Sequence, residues 1–360
     1  MKPAVILGTR PEIIKMSPII RALKRRRIDF LLLHTGQHYS YNMDQALFEQ
    51  LGLPEPEHNL NSGSGTHAEE TARILIGVEK FLQAQKPDSV LVEGDTNTVL
   101  GGSLASSKSG VILGHVEAGL RSGDTRMPEE TNRIVADHLS NLLFAPTRFS
   151  RRNLLQEGIK KDSIHVTGNT VVDAIEHDLP AASKSELGVE VPTEGYFLLT
   201  LHRQENVDDK GRLKQILQAI TTTGDNLGYP IVYPMHPRTK KRISQFGLEL
   251  DKRLQVIPPL GYFQFVRLMK NADLVLTDSG GVQEETCVLK VPCVTIRDNT
   301  ERPETLLVGS NMLTKADPKN LLESVKLMRS KPRKWSNPFG DGHAGERIVN
   351  ILTKTEVKGP

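Results

Sequence analysis

Short apolar, β-branched runs recur along this chain about 25–30 residues apart, and a stretch of helical periodicity separates each from the next. They lie at 4–7, 30–33, 89–92, 111–113, 142–145 and 164–166, and again at 196–201, 231–233, 254–257, 274–277 and 293–296. Runs that are apolar throughout belong to strands buried on both faces, the condition of a parallel sheet covered by helices. Parallel neighbours need a crossover, and this spacing leaves room for one helix, so each step is a right-handed βαβ unit. In 12–26 the residues Ile13, Ile14, Met16, Ile20 and Leu23 fall at helical spacing, and further helices read at 43–51 and 67–82. Between these two, 54–65 reads as an irregular loop punctuated by Pro and Gly.

At 360 residues the chain is long for one core. The polar, Pro-flanked segment 179–192 interrupts the pattern and is read as a linker, giving domains 1–178 and 179–343. The turn cluster Asn337-Pro338-Phe339-Gly340-Asp341-Gly342 precedes a last amphipathic helix, and 344–360 is expected to pack back on the first domain. The fold class is α/β, two Rossmann-like doubly wound domains facing a central cleft, with ligands expected at the carboxyl ends of the strands. A net charge of +3 makes no case for nucleic acid, and the run Lys24-Arg25-Arg26-Arg27 reads as a helix end complementing its dipole. Cys287 and Cys293 sit among apolar residues, as packed thiols of a reducing cytosol do. No apolar run approaches the ~20 residues of a membrane span. A strand follows Met1-Lys2-Pro3 at once, so no signal peptide is expected.

Polar residues gather just after the strands. Asp278-Ser279-Gly280-Gly281 turns from a strand into a helix, and its glycines let backbone N–H groups approach an anion such as a phosphate. Arg302, in the loop after the next strand, would face those N–H groups as a diphosphate clamp, and Glu285 one turn on could accept from sugar hydroxyls. Gly8-Thr9-Arg10-Pro11-Glu12 with Lys15 puts two cations at a helix start; they either hold a diphosphate or are solvated. Asp95 after a strand is either a helix cap or a functional acid, and Glu129 in a first helical turn is either a dipole complement or the same. Glu117 beside a buried strand favours catalysis or ligand binding. Together Asp95, Glu117 and Glu129 could place three carboxylates in one site, where repulsion sets an acid beside a base. His202, beside Arg203 and Glu205 at a strand end, is a candidate for a diphosphate contact or proton carrier; His236 ranks lower, and His115 reads as structural. Gly8 is a lone glycine, and no dinucleotide fingerprint, zinc-protease, Cys-x-x-Cys or Walker pattern occurs, which disfavours oxidation and reduction at a sugar.

As an ordered set these loops resemble the non-hydrolysing UDP-N-acetylglucosamine 2-epimerases. The likeness runs through Gly8-Thr9-Arg10-Pro11-Glu12-x-x-Lys15, Gly94-Asp95-Thr96, Gly114-His115-Val116-Glu117-Ala118-Gly119-Leu120-Arg121 and Pro128-Glu129-Glu130-x-Asn132-Arg133. It continues through Thr167-Gly168-Asn169-Thr170, the segment from Leu276 to Glu285, and Glu301-Arg302-Pro303-Glu304. The resemblance implies the GT-B fold, a cytoplasmic homodimer, no cofactor, and interconversion of UDP-GlcNAc and UDP-ManNAc by loss and re-addition of UDP, supplying precursors for surface glycans. By position it implies catalytic or substrate-binding roles for Arg10, Lys15, Asp95, Glu117, Glu129 and His202. It implies UDP binding by Ser279, Gly280, Gly281, Glu285 and Arg302, and a place near the uracil for Phe265. The chain departs from bacterial members at Glu93, usually His, at Gln204 in His202-Arg203-Gln204-Glu205, usually Arg, and at 37–43, about one residue longer. That last segment helps form an allosteric site in bacterial members, so weakly cooperative or hyperbolic saturation is expected here. The rival expectations are a hydrolysing epimerase, a GT-B glycosyltransferase, or a nucleotide-sugar sensor.

Overall fold

The computed structural model describes residues 1–36, 41–315 and 317–355, with the backbone alone for 41–43. The segment 37–43 singled out above therefore lies outside the described residues except for that backbone, and so does 356–360 of the expected terminal helix. The chain divides into two compact units, residues 1–176 with 339–360, and residues 177–338.

The first unit runs β1 (Pro3–Leu7), α1 (Arg10–Arg25), β2 (Leu31–His34), α2 (Tyr41–Gln50), β3 (His58–Asn59), α3 (His67–Gln85), β4 (Ser89–Glu93), α4 (Asn97–Lys108), β5 (Ile112–Val116), α5 (Pro128–Leu139), β6 (Leu142–Ala145), α6 (Arg148–Gln156) and β7 (Ile164–Val166). Helix α7 (Thr170–Lys184) carries the chain into the second unit. That unit holds β8 (Phe197–Thr200), α8 (Gln204–Val207), α9 (Lys210–Leu227), β9 (Ile231–Pro234), α10 (Pro237–Phe246), β10 (Leu254–Ile257), α11 (Tyr262–Asn271), β11 (Leu274–Thr277), α12 (Gly280–Leu289), β12 (Cys293–Ile296), α13 (Pro303–Leu307), β13 (Asn311–Thr314) and α14 (Pro318–Ser330). Helix α15 (Ala344–Lys354) returns to the first.

Both sheets are wholly parallel, in the orders β3-β2-β1-β4-β5-β6-β7 and β10-β9-β8-β11-β12-β13. The strand order reverses between β1 and β4 in one and between β8 and β11 in the other, and a doubly wound sheet binds its ligand outside such a switch point. The loops and helix starts beside those reversals hold Arg10, Asp95, His202 and Ser279. Each sheet has its own core: Ile6, Val90, Val92 and Leu113 with Ile74 and Val78 in the first, and Leu199, Leu276, Val294 and Tyr233 with Ile216 and Ile220 in the second.

Four readings are corrected. β4 includes Glu93, and β5 runs to Val116, so Glu93 and His115 are strand residues. Gly114 and His115 interrupt the apolar pattern, yet a Cβ at Gly114 would stand 2.7 Å from Leu91, so glycine is what lets β5 lie against its neighbour. The loop at 54–65 contains β3, a polar two-residue strand paired with β2. β13 was not legible, because its Asn311 and Thr314 are buried polar residues satisfied by the structure around them. The expected linker is half helical, since α7 continues through Pro180 to Lys184. Pro180 lacks the N–H that would bond to the Glu176 carbonyl, and the division between the units falls at that residue.

Candidate active site

In the first unit, α1 starts directly after β1 with Pro11 in its first turn. Glu12 folds back so that its carboxylate accepts from the N–H groups of Gly8 (2.5 Å) and Thr9 (2.8 Å) and from the Thr96 hydroxyl. Burial nevertheless pushes its carboxyl up to about 7, against those hydrogen bonds, and the charge of Asp95 adds to the rise. A Cβ at Gly8 would collide with the hydroxyls of Thr35 and Thr98, so the turn tolerates only glycine. One turn on, Lys15 is 7% exposed and forms an ion pair with Glu117, with Glu93 Oε1 3.6 Å from its ammonium. Glu117 also accepts from Asn169 Nδ2 at 3.2 Å. Its backbone has φ +68°, a left-handed conformation that a glutamate rarely adopts. Asp95 pairs with Arg133 Nη2 at 2.6 Å, and its carbonyl accepts from Asn132. Arg133 also holds the buried Glu130 at 2.8 Å. Glu129 lies one position earlier, in the first turn of α5, partly exposed. Arg10 begins α1 with the charge of Asp44 near it.

The two acid-bearing turns are tied together from behind. His115 is fully buried, with Nδ1 2.7 Å from Asp137 and Nε2 2.8 Å from the Gly94 carbonyl. Both neighbours are acceptors, so both ring nitrogens carry protons. Burial opposes that charge, and Asp137 outweighs it, leaving the imidazole pKa raised. Asp137 accepts in turn from the Gly119 N–H and pairs with Arg121, which grips Glu157 with two hydrogen bonds of 2.6 Å. The structural reading of His115 is thus sharpened: it fixes the Gly94 turn that precedes Asp95, and its partner fixes the turn after Glu117.

In the second unit the corresponding residue is Asp278, wholly buried and absent from the sequence-based candidates. It accepts from the backbone N–H groups of His202 and Arg203 and from Asn206, and it lies 3.2 Å from His202 Nδ1. This presents the His202 ring, 35% exposed, in one orientation. Burial lowers the His202 pKa, helped by Arg203 and opposed by Asp278. Ser279 stands at the N-terminal boundary of α12 without a capping side-chain hydrogen bond, and Gly280 and Gly281 begin its first turn. Arg302 lies beside this turn: a Cβ at Gly280 would be 2.7 Å from Glu301 Oε1 and 3.4 Å from the Arg302 guanidinium carbon. Two acids the sequence reading missed set the position of Arg302. Its Nε donates to the buried Glu284 at 2.8 Å, and Nη1 stands 3.3 Å from Glu301, which also pairs with buried Arg297. At Gly281 a Cβ would meet nothing within 4 Å, so packing gives no reason for glycine there. Glu285 on α12 and Phe265 on α11 are each half-buried.

Two doubly wound parallel units in one chain make this a protein of the GT-B fold class. A family profile described as UDP-N-acetylglucosamine 2-epimerase matches residues 21–353. The UDP-N-acetylglucosamine 2-epimerase of Methanocaldococcus jannaschii is 54% identical over 362 residues, spanning 98% of this chain and 99% of that protein. The UDP-2,3-diacetamido-2,3-dideoxy-D-glucuronate 2-epimerase of Pseudomonas aeruginosa is 41% identical, spanning 98% and 100%. The crystal structure of the M. jannaschii UDP-GlcNAc 2-epimerase in complex with UDP-GlcNAc and UDP matches with a TM-score of 0.95, covering 99% of this chain and 100% of that one. The chain belongs to the UDP-N-acetylglucosamine 2-epimerase family, as its ordered motifs imply.

Proposed function

We propose that this chain interconverts UDP-GlcNAc and UDP-ManNAc by inverting C2 of the sugar through elimination and re-addition of UDP. Family membership supports the reaction, and the relative bound to UDP-GlcNAc and UDP supports the ligands. The observation that carries the chemistry is the buried Lys15–Glu117 pair, with Glu93, Glu12 and Asp95 in electrostatic range. The C2 hydrogen is not acidic, so the C1–O bond breaks with loss of that proton and leaves a 2-acetamidoglucal; UDP then returns to C1 while a proton enters C2 from the other face. Proton movement of this kind suits positioned carboxylates, here Asp95, Glu117 and Glu129. Arg10, His202, Arg302 and the Ser279-Gly280-Gly281 turn suit the charge that gathers on the departing diphosphate. Lys15 orients Glu117, Glu285 takes sugar hydroxyls, and Phe265 lies by the uracil. The same reading makes the first unit the seat of the acids and the second the seat of UDP, in a cytoplasmic homodimer that supplies glycan precursors. Among the described residues no helix is long and apolar enough to cross a membrane.

NMR of UDP-GlcNAc with the purified protein in heavy water tests the reaction. UDP-ManNAc should appear with deuterium at C2, and an oxygen label in the bridging position should scramble among the β-phosphate oxygens. Retention of the C2 hydrogen would rule out elimination, and stoichiometric free ManNAc and UDP would make the protein a hydrolysing relative. The 41% identical relative supports a second substrate, the diacetamido sugar acid, and turnover of that compound alone would favour it.

A further inference from the structure

Two buried carboxylates, Glu93 and Glu117, meet the ammonium of Lys15, and the buried Glu12 lies on the same helix. Glu12 is satisfied without it, by two backbone N–H groups and the Thr96 hydroxyl. Glu117 takes the close ion pair and the Asn169 amide. Glu93 is left with Lys15 at 3.6 Å, beyond hydrogen-bond reach, and its buried Oε1 has no hydrogen-bond partner among the described residues. Two ionised carboxylates against one ammonium would leave an uncompensated charge in a buried site, which is strongly disfavoured. The proton settles on the carboxyl with the poorest set of donors.

We propose that Glu93 is a positioning residue for the reaction: as a neutral carboxylic acid it confines Lys15 to Glu117, and on ionising it draws Lys15 away. The inference rests on the epimerase reading for its turnover readout. Burial pushes the Glu93 carboxyl well above the usual carboxylate range, Lys15 opposes the rise, and the charges of Glu117, Glu12 and Asp95 add to it. These are the charged groups facing it: Lys15 and Glu12 from α1, Glu117 from the turn after β5, and Asp95 just beyond its own strand.

The whole protein carrying Glu93→Gln or Glu93→Ala tests this. Glutamine imitates the neutral acid, so Glu93→Gln should keep kcat within about tenfold at neutral pH and lose the alkaline decline of the wild type. Glu93→Ala leaves Lys15 unconfined and should lower kcat by about 10²-fold with KM little changed. A glutamine variant as slow as the alanine one, or one that keeps the wild-type alkaline limb, overturns the proposal. Infrared difference spectra between wild type and Glu93→Gln read the acid without turnover. A protonated carboxyl band at neutral pH that vanishes on alkaline titration is expected, and its absence overturns the proposal whatever the rates. If the band is present and the wild type shows no epimerase activity, the state of Glu93 is upheld and the functional reading fails.

Discussion

Glu117 joins two unusual conditions in one side chain. It is a buried acid paired with a lysine, and its backbone is left-handed, which costs an L-residue about 1–2 kcal/mol. Strain of that kind persists where surrounding structure holds it, as the Asp137–Gly119 hydrogen bond does here. Glu117→Gln should lower C2 exchange by at least about 10²-fold while UDP affinity by calorimetry stays unchanged, because the proposed reaction uses this carboxylate on the sugar and not on the nucleotide. On the proposed reading Arg302 has two duties. Arg302→Ala should weaken UDP binding by about 2–4 kcal/mol, the scale of a charge-assisted contact. It should also lower Tm, because Glu284 loses its Nε donor while remaining buried. Unchanged affinity with a lowered Tm would assign Arg302 to the structure alone.

At the scale of elements, two glycines at helix starts make opposite predictions. Gly345 opens α15, and a Cβ there would meet the Pro18 backbone of α1 at 2.8–2.9 Å. Backbone cannot yield as a side chain does, so Gly345→Ala should destabilise by about 1–3 kcal/mol in denaturant unfolding. Gly281 opens α12 onto empty space. There alanine should be neutral or stabilising by up to about 1 kcal/mol, through helix propensity and a less free unfolded chain. If a diphosphate approaches that turn, the same substitution should weaken UDP binding; retained affinity would place the phosphates elsewhere. The comparison separates a glycine required by packing from one required by a ligand.

The whole molecule carries buried groups whose ionisation opposes folding. Burial raises the folded Glu12 carboxyl to about 7, whereas the solvated glutamate of the unfolded chain releases its proton near 4.5. Between these values the folded state binds more protons, so stability falls as pH rises, by about 3 kcal/mol for this group on complete passage. Burial raises the Glu93 carboxyl too, so it acts in the same direction. His115, its pKa raised, adds stability that is present below its ordinary value and lost as pH rises through the folded one. Asp137 acts oppositely, and its contribution is lost as pH falls through its lowered value. Thermal melts should therefore show Tm declining from mildly acidic to neutral pH, and Glu12→Gln should flatten that decline. An unaltered slope in the variant would assign it to other groups.

The alternation of strands and helices, the parallel sheets and the strand-end loops could all be read along the chain. Each is signalled within a few neighbouring residues, by apolar runs, helical spacing or a glycine turn. The motif order identified the family for the same reason, since it needs only identity and sequence position. Polar strands escaped that reading: β3 is His58-Asn59 alone, and Asn311 of β13 and His115 of β5 are buried because their hydrogen-bond partners come from distant segments. The grouping of the acids escaped it too. Asp95 and Glu117 were named, but Glu12 and Glu93 join them only because β1, β4 and β5 lie side by side, and Asp278, Glu284 and Glu301 were missed in the same way. Burial and charge pairing depend on which chain ends the sheet brings within a few ångströms of one another, so which carboxylate keeps its proton was decided by the tertiary structure.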